Sequence, residues 1–184
     1  MLFNSHEFIF LFLPVVLVMY FTLNRSVHFI AARAWLVIGS LFFYAYFNPA
    51  YLVLILLSIL INFTVGRLLE RQHTDAWRKL TLLAGLLFNL GMLGHYKYHD
   101  FFVDNLNAVA GTEFVLYHLV LPLGISFFTF QQISYIVDIY KRSNETPHYN
   151  PLTYSLFVSF FPQLIAGPIV LHHEMMPQFA DPQR

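Results

Sequence analysis

From Leu121 to Lys141 the chain reads LPLGISFFTFQQISYIVDIYK, an apolar run that carries Gln131, Gln132, Ser134 and Asp138. Gln131, Ser134 and Asp138 are spaced by three and four residues, which aligns them as a polar stripe on one side of a helix. An ionisable group at membrane depth is costly unless it faces a protein interior or a water-filled cavity. Asp138 is therefore a candidate for contact with a polar substrate. Two blander readings stand beside that one. Gln131 and Ser134 serve equally well as channel lining or as glue between helices, where a hydrogen bond contributes about 0.6 kcal/mol on average. Asp138 is followed closely by Lys141 and Arg142, and an ion-paired position at the membrane surface competes with a buried one.

Further along, FFPQLIAGPIV (Phe160 to Val170) interrupts an apolar run with Pro162, Gly167 and Pro168. Each proline removes a backbone donor and disfavours helix at the residue before it, so a broken helix is expected. Its freed carbonyls need partners inside protein or beside water, and Gln163 is the side chain placed to serve them or to meet a substrate. The nine histidines raise metal binding. His95 and His99 stand four apart, and His172, His173 and Glu174 are adjacent, yet two imidazoles do not complete a tetrahedral zinc site. The glutamate of a His-Glu-x-x-His helix is also missing from Tyr96-Lys97-Tyr98. Interfacial histidine is the reading for both pairs, and no metal is expected. A histidine base remains chemically possible, but no nucleophile elbow, phosphate-cradling glycine loop or dinucleotide fingerprint accompanies it.

The elements that carry these residues are membrane helices. Charged residues are 11% and hydrophobic residues 58% of 184 residues, whereas a soluble domain carries about 25% charged. So much apolar area is suited to a bilayer. Apolar runs give six segments: Phe8 to Leu23, Ala34 to Phe47, Ala50 to Val65, Leu80 to Leu93, Val115 to Tyr140 and Tyr154 to Leu171. Several fall short of the ~20 residues that cross upright, and short runs are alternatively buried or re-entrant. Leu121-Pro122-Leu123-Gly124 marks a start or kink in the fifth. The expectation is an all-α, polytopic protein forming a single transmembrane domain over residues 1–184, with short polar linkers at Arg67 to Lys79 and Arg142 to Pro151.

Eight of the ten Lys and Arg fall after the first, third and fifth segments, at Arg25, Arg33, Arg67, Arg71, Arg78, Lys79, Lys141 and Arg142. Positive charge marks the cytoplasmic side, so the amino terminus is expected outside. Glu7 rather than a basic residue precedes the first segment, which reads as an uncleaved helix. The formal net charge of zero recruits no nucleic acid, and the absence of cysteine removes disulfides and thiolate sites from this stretch.

The two long motifs, in this order, resemble the paired signature of the membrane-bound O-acyltransferases. The opening MLFNSHEFIFLFLPVVLVMYF and LGHYKYHDFF (Leu93 to Phe102) are similar to the bacterial branch that acylates alginate, peptidoglycan or teichoic acids, nearest to the alginate type. The resemblance covers nearly the whole chain. It implies a multi-helix fold in the bacterial inner membrane through which an acetyl group passes from acetyl-CoA, with no bound cofactor, to an extracytoplasmic polysaccharide. A periplasmic acetyltransferase partner often completes the transfer. Family members carry their catalytic histidine in a Trp-His-Gly type motif. Here tryptophan occurs only at Trp35 and Trp77, and neither precedes histidine, so the catalytic histidine is expected beyond Arg184. The chain is then expected to be less than half of a member and to supply channel wall through Gln131, Ser134, Asp138 and Gln163. The rival is a non-enzymatic transporter or structural subunit with the same stripe along a permeation path, for which no inverted repeat is found.

Overall fold

Asn48 ends one helix and begins the next. Its backbone is extended (φ −157°, ψ 110°), its side-chain oxygen accepts the Ala50 N–H at 3.0 Å, and Pro49 takes the first helical position, where no N–H is needed. This junction joins α2 (Phe29–Phe47) to α3 (Pro49–Arg71) in the computed structural model, which describes residues 3–26, 28–71, 74–141, 149–167 and 170–180. A π-helical turn (Phe8–Phe12) leads into α1 (Leu13–Ser26). After α3 come α4 (Asp75–Leu93), a second π-helical turn (Gly94–Tyr98), α5 (His99–Ala110), α6 (Ile125–Lys141), α7 (Pro151–Ser159), α8 (Phe161–Ala166) and α9 (His172–Ala180). Among the described residues no strand occurs, and the protein is all-α.

Among the described residues, three helices are long and apolar enough to cross a bilayer: Phe8–Arg25, Phe29–Phe47 and Pro49–Arg71. Helices α4 and α6 have 19 and 17 residues, about 28 and 25 Å at 1.5 Å per residue, close to the ~30 Å hydrocarbon thickness. Large apolar side chains such as Phe10, Val18, Ile38, Val53, Leu60 and Leu87 are exposed along these helices, as lipid contact requires. The chain is a membrane protein. Its core gathers Tyr44, Ile55, Phe128, Ile136, Tyr154 and Phe157, and a second cluster stacks Phe8, Phe12 and Phe43 against Phe161.

The helices alternate between two faces. Arg25, Arg71, Arg78 and Lys141 lie at helix ends on one face, where Arg78 Nη2 donates to the Tyr140 carbonyl at 2.6 Å. On the opposite face Lys97 Nζ donates to Ser126 Oγ at 3.1 Å, and the Tyr51 hydroxyl donates to the Val120 carbonyl. Helix α6 therefore runs antiparallel to α4 and parallel to α3. Helix α3 extends past the expected end at Val65, because Leu69 is buried and Arg67 pairs with Glu70 at 3.1 Å. With α4 beginning at Asp75, little of the linker expected at Arg67 to Lys79 remains outside helix.

Two expectations are refined. The fifth apolar segment was drawn from Val115 with a start or kink at Leu121 to Gly124; residues 111–122 lie outside regular helix and strand, and helix begins at Ile125, after Gly124 turns with φ +65°. The backbone of that stretch is satisfied from elsewhere: Asp100 accepts the N–H groups of Tyr117 and His118 at 3.0 and 2.8 Å, and Asn107 accepts that of Phe114 at 2.9 Å. The sixth segment does not cross. Arg33 Nη1 donates both to Thr153 Oγ1 at 2.9 Å and to the Phe179 carbonyl at 3.2 Å, so α7 begins and α9 ends at the same level of α2. Between them Leu164 reaches Gly124 near the opposite face. Residues 151–167 and 170–180 thus enter and return. Arg33, read as a loop cation, is buried inside α2 because it joins both ends of that excursion. Arg142 and most of its linker, and Pro168, lie outside the described residues.

Candidate functional site

A polar spine runs through the apolar interior. Asn62 on α3 and Asn89 on α4 exchange side-chain amide bonds at 3.2 and 2.6 Å, and each also donates to the carbonyl four residues before it, Ser58 and Gly85, at 3.0 and 2.8 Å. One turn away Ser58 Oγ accepts from Gln132 Nε2 at 2.8 Å, and Gln132 Oε1 accepts from the Tyr154 hydroxyl at 3.3 Å. Four helices are thereby joined through groups that are wholly buried. Dry polar groups of this kind must be mutually satisfied, and their donor–acceptor pairs fix which faces of α3, α4, α6 and α7 meet.

Close packing brings α6 onto its neighbours. A Cβ on Gly66 would lie 2.7 Å from the Tyr135 ring, and one on Gly85 would lie 3.0 Å from Ile136. The gap left at Gly66 admits Tyr135, whose ring packs 4.6 Å from Tyr154 and meets His172 edge-on at 5.6 Å. One turn further along α6, Asp138 Oδ2 lies 3.4 Å from His172 Nδ1 and 3.9 Å from His173 Nδ1. His172 is buried, Asp138 is about one quarter exposed and His173 about one half exposed. The Asp138 carboxylate is thus held at the basic end of α6 against the start of α9.

The four residues singled out from the sequence do not form one cluster. Gln131 is buried on α6, Ser134 is partly exposed one turn on, and Asp138 faces the two histidines. Gln163 is on α8, packed under Gly167, where a Cβ would fall 2.8 Å from its Cγ. Two apolar clefts of about 340 and 480 Å³ lie along α1 and α2, and neither is lined by any of the four. On the opposite face Asp100 accepts from His99 Nδ1 at 3.0 Å as well as from the two backbone N–H groups, while His99 stacks on Tyr117 at 4.5 Å. These donors hold the Asp100 carboxyl below its ordinary range, the His99 hydrogen bond contributing most. The arrangement pins the irregular segment, including His118 at φ 46°, a left-handed conformation uncommon outside glycine.

Comparison with known proteins adds what geometry alone does not. No family model matches the chain, and no solved structure matches it. It is 44% identical to a peptidoglycan O-acetyltransferase of Helicobacter pylori over 98% of its length. It is 35% and 37% identical to probable alginate O-acetylases of Pseudomonas aeruginosa and Azotobacter vinelandii over 97% of its length. Over nearly its whole length the chain resembles bacterial O-acetyltransferases of the membrane-bound O-acyltransferase type. It spans 39%, 34% and 36% of those three relatives, little more than a third of each. Identity is higher to the peptidoglycan protein than to the two alginate proteins, so the motifs read as alginate-like are equally compatible with a peptidoglycan relative.

Several positioning residues escaped the sequence reading. Asn62 and Asn89 sit inside apolar runs, and an amide there signals an interior face as strongly as Gln131 does. Gln132 was visible beside Gln131, but the three-and-four spacing favoured its neighbour. Asp100 was not singled out, because nothing local shows that its acceptors are filled by residues 17 and 18 positions on.

Proposed function

We propose that this protein takes part in O-acetylation of an extracytoplasmic polysaccharide, moving an acetyl group from a cytoplasmic thioester donor, acetyl-CoA, to sugar hydroxyls of a peptidoglycan or alginate type. The observation that carries the reading is 44% identity to a peptidoglycan O-acetyltransferase across 98% of the chain. The face bearing Arg25, Arg71, Arg78 and Lys141 is cytoplasmic by the positive-inside rule, which puts the amino terminus outside the inner membrane.

In this reading the chain supplies wall and scaffold. The amide spine fixes α3, α4, α6 and α7, and Gln131 and Ser134 lie along the acyl path. Asp138 stands at its cytoplasmic end. A family histidine outside these residues acts as the general base on the acceptor hydroxyl, in a site closed to bulk water. No bound cofactor is required, and a periplasmic acetyltransferase partner receives or relays the group.

The test is the complete protein in vesicles, supplied with labelled acetyl-CoA and with either oligouronate or peptidoglycan fragments. Label is expected on one acceptor and is expected to fall in Gln131→Leu, with membrane insertion unchanged. Folded, inserted protein that labels neither acceptor, with its periplasmic partner present, would remove the reading.

A further inference from the structure

Asp138, His172 and His173 meet although Asp138 is on α6 and the two histidines open α9, with α7 and α8 between them in the chain. Their ligand atoms all lie within 4.8 Å of one another. Both imidazoles approach the same carboxylate oxygen through Nδ1, at 3.4 and 3.9 Å. Good N–H···O bonds fall at 2.7–3.2 Å, so these separations are long for direct hydrogen bonds. They suit a bridging ion better. With metal–nitrogen and metal–oxygen bonds of about 2.0–2.2 Å, two ligand atoms of a tetrahedral site stand roughly 3.3–3.5 Å apart. The shorter pair already has that edge, and the longer needs to close by about half an ångström.

We propose that Asp138, His172 and His173 form a binding site for a divalent transition-metal ion of the zinc type. Two imidazole nitrogens and one carboxylate oxygen are a borderline donor set, suited to such ions rather than to calcium or magnesium, which take oxygen. The site needs the fold: the adjacent histidines and Glu174 do not form it, and the third ligand comes from α6. His172 is enclosed, with the Tyr135 ring edge-on to it at 5.6 Å, whereas His173 is about half exposed. One side of the ion therefore faces solvent and leaves a coordination position for water or another ligand, the pattern of open zinc sites. Lys141 is exposed, so its charge is solvated rather than held at the site.

Binding would tie the start of α9 to α6 and so fasten the segment that enters and returns beneath Arg33. Because His173 is exposed, its replacement leaves the buried packing of His172 and Tyr135 in place. This makes it the variant of choice.

The experiment uses the complete protein, purified in detergent, stripped with chelator and titrated with zinc and with cobalt. Wild type is expected to take up one more equivalent of zinc than His173→Ala, and to show a tetrahedral cobalt absorption that the variant lacks. Zinc affinity at this site is expected to drop at least tenfold in the variant. His173→Cys, which replaces imidazole by thiolate, is expected to keep the equivalent and to add a sulfur-to-cobalt charge-transfer band. That band reports coordination rather than stability. Equal zinc uptake by wild type and His173→Ala, or a His173→Cys protein without the band, would overturn the site whether or not acyl transfer is intact.

Discussion

The reciprocal amide pair of Asn62 and Asn89 permits a test of whether the polar spine holds the helices together. Replacing Asn89 by Leu removes two cross-helix bonds, at 3.2 and 2.6 Å, and leaves the Asn62 side chain without its partner on α4. Interhelical hydrogen bonds in membrane proteins average about 0.6 kcal/mol and reach about 1.7, so two contribute roughly 1–3 kcal/mol. Both groups are fully buried, and a stranded buried amide itself costs about 1–3 kcal/mol. The added leucine carbons offset part of this by packing, so the expected single-variant loss is about 1–3 kcal/mol. The bonds that each amide donates to its own helix, to Ser58 and Gly85, compete with no other partner for those carbonyls beyond the helix ladder and change the total little.

The double variant Asn62→Leu/Asn89→Leu strands neither amide. Its loss should be smaller than the sum of the singles, with a coupling of about 1 kcal/mol or more. Unfolding of the complete protein in mixed detergent, followed by helical circular dichroism, measures all four corners of the cycle. Singles that add to within about 0.3–0.5 kcal/mol would mean that the two side chains do not bond across α3 and α4, and the spine would lose its central link.

Gly66→Ala should destabilise the protein by about 1–3 kcal/mol, because the new Cβ falls 2.7 Å from the Tyr135 ring; unchanged thermal unfolding would show that α6 has room to move. For topology, single cysteines at Thr74 and Thr112 in this cysteine-free chain report the two faces. An impermeant reagent applied to intact cells should label position 112 and spare position 74, and the reverse pattern would invert the orientation. The Asp100 carboxyl is held low by His99 and by the Tyr117 and His118 N–H groups, so its contribution is full above the ordinary carboxylate value of 3.8 and is lost as pH falls through the lower folded value. Cleavage near Tyr117 by an acid-active protease should therefore rise only below 3.8, while Asp100→Asn removes that step and is cleaved at all pH values tested; a wild-type profile flat down to the acid limit would separate Asp100 from the order of residues 111–120.

Much of the fold was legible because helix existence follows from apolar run length. Pro122 and Gly124 marked where α6 begins, Pro162 marked the break between α7 and α8, and Gly167 the end of α8. The misreadings have a common physical source: backbone satisfied by distant side chains. The stretch Phe114 to Leu121 is as apolar as a span, and side chains outside it hold its non-helical form: Asp100 and Asn107 take up its N–H groups and Tyr51 donates to the Val120 carbonyl. The return of residues 151–167 and 170–180 rests on Arg33, whose donors are divided between Thr153 and the Phe179 carbonyl. No local pattern encodes either partner.

The same reasoning shows what more the sequence held. In a chain whose exterior is lipid, hydrophobicity cannot tell an inward from an outward face, since leucine is equally at home in both. Polar residues can. Ser58 and Asn62 on α3 and Asn89 on α4 sit inside apolar runs, Gln132 on α6 stands beside Gln131 in another, and each is buried in the structure. Taken with Gly66 and Gly85, which mark where α6 comes closest, they orient three helices toward one axis before any coordinates are known. Asp138 obeys the same rule at the edge of the bilayer: it faces protein, and what it faces is His172 and His173.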